Sequence, residues 1–487
     1  MCAKRSDNLP MTVLLSALTA FVFLLLCSMC SPLYPLNIWD DANCLLTVGR
    51  VMKEGGVLYR DIYEQKGPML YLIHMLAAMI SDASFMGVFF FEVISFTSVL
   101  VFAQKLICLW TNDRFAWVGT LLFGACVLVS RSFARGDSAE EFCLPFLMAA
   151  LYIVCAHAKR SDEALPAGTM LLLGMLAGCV AAVKYTALGL FVGLCAAQGI
   201  YQLVRRDVRG VFVSAGAFLA GMLLPVLPWV IYFSAHGALK DAFTAYIYNN
   251  IFLYNASERG LLDIAKEIGR AGWQNISWSL LAAGGVMFVI AGKREGVYLR
   301  FAAALGAMAA GAAVFLPGTV YPYYPLVLCV FAPFALALLL EKAECVLRTC
   351  RILVPASAIL SVIAVMLFSP NAFLRGVKLE DTAQGKLAAQ MEEGASLLQY
   401  SHLDDGLYLT HGVLPEEKYF VLLNVAYQEM RNALDDAVRE GRPDYVLVSW
   451  RELPEEFDRY TLVARETGYD DENRMNKDLY LYRRIEE

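Results

Sequence analysis

Charge is scarce in this sequence. Asp, Glu, Lys and Arg make up 18% of its 487 residues, whereas apolar residues make up 58% and mean hydropathy is +0.53. Soluble domains carry about 25% charged and 45–50% apolar residues, so the composition excludes an ordinary soluble protein. No Cys/His spacing suggests zinc, and no disulfide framework is readable. The thirteen cysteines, none beyond Cys350, lie mostly in or beside apolar runs and read as small hydrophobes of packed helices. There is no nucleotide-binding fingerprint, no obvious internal repeat and no long low-complexity linker. The net charge of −6 says little about partners, because the distribution of charge matters more than its sum, and no nucleic acid is expected among them.

What is present is a series of apolar runs of about twenty residues, the length that crosses roughly 30 Å of hydrocarbon. The first follows Lys4 and Arg5 and reaches Ser31; it lacks an Ala-x-Ala cleavage site and reads as a span rather than a signal peptide. Ten more lie near 84–110, 115–131, 142–158, 167–183, 185–204, 211–234, 275–292, 297–316, 322–340 and 352–369. A shorter run at 68–81 suits an interfacial or re-entrant helix. If it does not cross, the basic clusters Lys4/Arg5, Lys105/Arg114, Lys159/Arg160, Arg205/Arg206/Arg209, Lys293/Arg294 and Lys342/Arg348/Arg351 all fall on one side, as the positive-inside rule requires. The expectation is therefore a multi-pass protein of the cell membrane with eleven spans and a cytoplasmic N-terminus. Its first outer loop, 32–83, and everything after 370 lie outside the cytoplasm.

From residue 371 the composition becomes that of a soluble domain. Residues 380–400 and 425–440 read as helices, and 406–412, 444–450 and 478–484 as strands. The expected architecture is an α-helical polytopic membrane domain, 1–370, followed by a small extracytoplasmic α/β domain, 371–487, in which no catalytic motif is identifiable.

The first outer loop is crowded with charge: Asp40, Asp41, Asp61, Glu64 and Lys66, with Gly67-Pro68 opening the short apolar run. A carboxylate held beside an acceptor hydroxyl or amine can act as a general base. A nearby cation can neutralise the charge that builds on a departing phosphate. Solvated loop charges and a snorkelling Lys are the plainer alternative. Lys184 lies between two apolar runs, where an ionisable group is costly and marks a functional candidate unless it snorkels. Glu92, inside the second span, either pairs with Lys184 or Arg60 or lines a donor cavity. Asp137 stands among Arg131, Arg135, Glu140 and Glu141, so a local salt-bridge cluster competes with a site role. Tyr321, Tyr323 and Tyr324 are either aromatic-belt residues or the lining of a sugar pocket. Asn255-Ala-Ser257 and Asn275-Ile-Ser277 match glycosylation sequons.

The run from Asp41-Ala42 to Gly49, then Met52, Gly55-Gly56, Leu58-Tyr59-Arg60-Asp61, Lys66-Gly67-Pro68 and Leu70-Tyr71 resembles the first outer loop of glycosyltransferase family 39-like proteins. These belong to the GT-C superfamily, with protein O-mannosyltransferases and the aminoarabinose transferases of lipid A. The resemblance implies a GT-C-like fold and transfer of a sugar from a polyprenyl-phosphate-linked donor to an extracytoplasmic acceptor. That acceptor would be a glycolipid, polysaccharide or protein of the cell envelope, met among membrane lipids. It further implies inversion at the anomeric carbon, with no metal or other cofactor. Asp41 is similar to the family's general base, although Asp41-Ala42 stands where many relatives have Asp-Glu, which keeps Asp40 as the alternative. Lys66 matches the Lys that contacts the donor phosphate, with Gly67 in place of the more frequent Pro. Asp137 looks like the acidic residue of the second outer loop, and Lys184 like the Lys between the fifth and sixth spans. With Arg60, Asp61, Glu92, Tyr323 and Tyr324 these make up the candidate substrate-binding set. Two rivals from other classes are a transporter or flippase of lipid-linked saccharides, which usually shows paired repeats and short outer loops, and a non-catalytic assembly subunit.

Overall fold

Apolar backbone has one economical way to cross hydrocarbon, since no water is there to satisfy its N–H and C=O groups, and the eleven apolar runs are helical. The structure, a computed structural model, describes residues 9–254, 260–292, 295–347, 352–470 and 475–485. Lys4, Arg5, Lys293, Arg294, Arg348 and Arg351 of the basic clusters, and the sequon Asn255, lie outside the described residues. The runs appear as helices Leu9–Cys27, Met86–Ile107, Asp113–Leu128, Ala139–Ala158, Ala167–Lys184, Gly189–Val204, Val208–Ala235, Ile276–Ala291, Val297–Phe315, Ala332–Leu347 and Leu353–Phe368.

Length and composition qualify seven stretches among the described residues as membrane-crossing, or eight if the pair Leu261–Gln274 and Ile276–Ala291, bent by 114°, is one span. By this measure eleven is not reached, for two reasons. Asp113–Leu128 and Leu353–Phe368 have only 16 residues each. Ala167–Val204 counts as one stretch of 38 residues, which straight would measure about 57 Å. It is not straight. The Leu165 N–H donates to Gln198 Oε1 and Gln198 Nε2 donates to the Leu165 carbonyl, both at 3.0 Å, so the second leg returns beside the start of the first.

The chain forms two compact units, Met1–Ser28 with Glu92–Leu227 and Glu258–Ala372, and Met29–Phe91 with Pro228–Ser257 and Phe373–Glu487. In the first, the connection around residues 130–138 is buried rather than solvated. Asn371 Nδ2 donates to the carbonyls of Cys27, at 2.7 Å, and Ala134, while Asn275 Oδ1 accepts from the Ser132 N–H at 2.8 Å. Asn275 is 1% exposed and its amide is committed to these bonds, so the second sequon is closed to a glycan.

In the second unit a four-stranded sheet has the order β1-β2-β4-β3, from Leu397–Gln399 (β1), Tyr445–Ser449 (β2), Tyr460–Asp470 (β3) and Met475–Arg484 (β4). β1 and β2 are parallel; the other pairs are antiparallel. β2 is buried throughout, as its uninterrupted apolar composition requires. The helix Gln428–Glu440 buries Met430, Leu434, Ala437 and Val438, an i, i+4, i+7, i+8 stripe, and stops at Gly441, φ 69°. Two expectations fail here. The helix expected over 380–400 survives only as Ala383–Ala388, because the chain turns at Gly394, φ 74°, and enters β1. The strand expected over 406–412 is instead a five-residue helix, Leu407–His411, closed at both ends by left-handed Gly406 and Gly412. β3 was not expected; it is an outer, largely exposed strand with little apolar alternation to betray it.

Candidate active site

The first outer loop folds entirely within the second unit. Its helix, Asp40–Lys53, begins with two carboxylates in the first turn, where the unsatisfied N–H groups favour negative charge. Asn43 Nδ2 donates to the carbonyls of Asn37 and Trp39, at 2.8 and 2.9 Å, and this fixes the chain's entry into the helix. Gly49 sets the distance to the next helix, Pro68–Ile80. A Cβ there would lie 2.5 Å from the His74 carbonyl carbon, so only Gly permits so close a crossing.

That crossing brings Asp41 to Lys66. Lys66 Nζ donates to Asp41 Oδ1 at 2.8 Å and to Glu64 Oε1 at 3.1 Å. Glu64 is fully buried, and its second oxygen accepts the N–H groups of Gln65 and Lys66 at 2.7 and 3.0 Å. Tyr59, at φ 67° and 1% exposed, donates its hydroxyl to the Lys66 carbonyl at 2.6 Å. Lys66 is thus held from both ends. Burial alone would lower its pKa, but Asp41 and then Glu64 outweigh burial and push it well above the usual lysine range. The side chain is an ammonium at any physiological pH. Glu64 spends its oxygens on backbone and Lys66; Asp41 keeps 11% of its side chain exposed.

Asp40 faces elsewhere. Lys477 of β4 donates to both its oxygens, at 3.0 and 3.1 Å, and His402 Nε2 lies 3.2 Å from Oδ2. Lys477 also pairs with Asp405, whose other oxygen accepts from Gln399 at 2.9 Å and from Ser449. Burial would raise the Asp40 pKa, but Lys477 and His402 together bring it down to about 2. Two turns along, Thr47 donates to Asp404 Oδ2 at 2.7 Å, and burial raises that carboxyl to about 7 despite the bond. The pair Asp40-Asp41 is therefore divided: one carboxylate is locked into the C-terminal segment, the other into a small ionic trio.

Arg60 and Asp61 form an exposed pair at 2.7 and 2.8 Å; Arg60 also donates to the His236 carbonyl, and Asp61 accepts from the Val57 N–H. Both guanidinium edges are engaged in bracing the loop. The remaining candidates belong to the first unit. Lys184 meets Glu140 at 2.5 Å and lies over the Tyr324 ring at 3.9 Å and the Tyr323 ring at 5.4 Å. It does not pair with Glu92. Glu92 instead accepts from Ser28 Oγ at 2.7 Å and from the Asp137 N–H at 3.0 Å. Asp137 is fully buried at φ 57°, after Gly136, where a Cβ would fall 2.4 Å from Glu92 Oε1.

Sequence reasoning passed over Glu64 and Glu140, the carboxylates that hold the two candidate lysines. Glu64 stands two residues from Lys66, and that proximity was the available signal. Asn249 and Asn250 were not signalled: they sit in a π-helical stretch, Phe243–Leu253, and donate to Tyr63 Oη and the Gln65 carbonyl, each at 2.7 Å. Such stretches are frequent at functional sites.

No curated protein matches the chain by sequence. The family profile described as "Putative competence-induced protein Ccs4 N-terminal domain" matches residues 3–270. Among solved structures, ArnT from Cupriavidus metallidurans in the apo state aligns with a TM-score of 0.64 at 12% identity, over 98% of each chain. The same protein bound to undecaprenyl phosphate aligns with a TM-score of 0.64 at 13% identity, again over 98% of each. The Archaeoglobus fulgidus oligosaccharyltransferase in complex with Zn and sulfate aligns with a TM-score of 0.50 at 12% identity, over 90% of this chain and 68% of that one. At these identities the likeness is one of fold: the chain is a multi-pass, GT-C-like helical membrane protein with a small C-terminal sheet.

Proposed function

We propose that this chain, which belongs to the competence-induced protein Ccs4 N-terminal domain family, is a membrane glycosyltransferase that moves one sugar from a polyprenyl-phosphate carrier to an acceptor outside the cytoplasm. The observation that carries the reading is the Asp41–Lys66–Glu64 trio, a carboxylate and an ammonium 2.8 Å apart at the start of a helix, with the ammonium braced from behind. The GT-C-like fold supports it.

In the resting arrangement Lys66 bonds Asp41 and weakens it as a base. A donor phosphate entering beside Lys66 competes for its protons and leaves Asp41 more basic. The acceptor oxygen or nitrogen then attacks the anomeric carbon from the face opposite the phosphate. The carbon–oxygen bond to phosphate breaks, its electron pair stays on the phosphate opposite Lys66, and the acceptor's proton passes to Asp41. Inversion follows from that geometry. No step calls on a metal. Glu64 keeps Lys66 charged and aimed. Asp40 we assign to fastening the helix that carries Asp41, and Arg60 with Asp61 to bracing the loop. Lys184, over the Tyr323 and Tyr324 rings and beside Glu140, is a separate cationic point of the first unit, where Glu92 and Asp137 hold the connection that precedes Glu140.

Purified protein given a radiolabelled polyprenyl-phosphate sugar and a membrane extract of acceptors tests this. Label in the acceptor with release of polyprenyl phosphate is expected. Movement of intact labelled lipid across reconstituted vesicles, with no transfer, would establish the flippase rival instead.

A further inference from the structure

A polar cavity of about 330 Å³ opens in the same unit as the candidate active site, and nothing in the proposed reaction uses it. Arg50, in the last turn of the Asp40–Lys53 helix, lines it, together with Ser84, Thr410 and His411 from two other segments. Arg50 is 6% exposed. Its Nη1 donates to the carbonyls of Tyr408 and Val413 at 3.1 and 3.0 Å, but its Nε is buried without a partner, and no carboxylate pairs with it among the described residues. The one acid lining the cavity, Asp82, is already bonded to Lys53 at 2.5 Å. Burial lowers the Arg50 pKa although the Asp404 and Asp82 carboxylates attract it from a distance, and its direct hydrogen bonds go to neutral carbonyls, which leaves the guanidinium costly to bury. Beside it, burial lowers the His411 pKa and keeps the ring neutral, and its Nε2 is buried with no partner.

We propose that this cavity binds a phosphate group, free or carried on a lipid or glycolipid headgroup. The side-on edge of a guanidinium matches two oxygens of an oxyanion. Ser84, whose hydroxyl meets Ser81 Oγ at 2.8 Å, Thr410 and His411 add polar groups to the lining of the same cavity. The volume lies at the low end of small-ligand sites and holds a phosphate with part of its substituent. The site is separate from Lys66, which the proposed reaction reserves for the donor phosphate, so the two are tested apart.

The experiment uses the full-length protein in detergent and in nanodiscs, with Lys66→Met as the background that silences the donor phosphate. Inorganic phosphate is titrated by calorimetry, and nanodiscs containing phosphatidic acid are compared with phosphatidylcholine alone by thermal melting. Saturable binding in the Lys66→Met protein, weakened tenfold or more by Arg50→Lys and by His411→Gln, is expected. Binding of inorganic phosphate identifies a site open to the free ion; an Arg50- and His411-dependent rise in melting temperature with phosphatidic acid alone identifies a lipid headgroup. No binding in either arm, or binding that both substitutions leave unchanged, overturns the proposal. His411→Gln keeps the test decisive if Arg50→Lys fails to fold. A negative result here leaves the reading of Asp41 untouched, because neither arm measures transfer.

Discussion

Asp40 and Lys477 stand near opposite ends of the chain, yet Lys477 Nζ donates to both carboxylate oxygens of Asp40 at 3.0 and 3.1 Å, with 4% of the lysine side chain exposed. The helix that carries Asp41 is thereby tied to the last strand of the sheet. Lys477→Met leaves Asp40 and Asp405 buried without their cation, and breaking such a pair costs about 3–5 kcal/mol. A large drop in melting temperature is expected. Asp40→Asn in the Lys477→Met background should cost less than the sum of the single changes, since it removes one of the stranded charges.

The same bond sets an acid limb. Asp40 titrates near 2 in the folded protein and 3.8 otherwise. Its folded pKa is depressed, so its contribution is complete above about pH 4 and is lost as pH falls toward 2. The shift corresponds to about 2 kcal/mol. Melting temperatures recorded between pH 2 and 5 should fall steeply for the wild type and more gently for Lys477→Met, in which the folded pKa of Asp40 rises.

Asp404 works in the opposite sense. Burial holds its folded pKa at about 7, above the ordinary 3.8. Between these values the unfolded chain has already released the proton that the folded chain retains, so stability declines as pH climbs from about 4 to about 7 and then levels. Asp404→Asn keeps an acceptor for Thr47 or Gly406 and cannot ionise. It should flatten that decline and melt above the wild type at pH 8. An unchanged profile between pH 4 and 7 would show that another group is responsible.

Gly49→Ala places a methyl 2.5 Å from the His74 carbonyl carbon. The helices must separate, and overpacking of this kind costs roughly 1–3 kcal/mol. Because Asp41 rides on one helix and Lys66 immediately precedes the other, transfer should fall further than the loss of folded protein explains, when activity is normalised to the folded fraction.

The membrane helices were legible because hydrocarbon imposes one repeating demand, a long apolar run, that needs no knowledge of neighbours. Asp41 and Lys66 were legible as a local pattern around Gly49 and Lys66-Gly67-Pro68. Lys477 was not: its role depends on a partner 437 residues away, and in sequence it is one charge in a polar strand. Glu140 was read as one acid in a crowded cluster, and only the fold singles it out as the partner of Lys184. Leu407–His411 had the composition of a strand, and the left-handed glycines at both ends decide otherwise.

Asp41→Asn is the most direct measurement. The substitution keeps the size of the side chain and an oxygen for Lys66, and removes the base. Sugar transfer from the polyprenyl-phosphate donor should fall by about 10²–10⁴-fold, the span of general-base contributions, with melting temperature within a few degrees of the wild type and donor binding retained. Transfer at the wild-type rate by folded Asp41→Asn protein would contradict the assignment of Asp41 as the base.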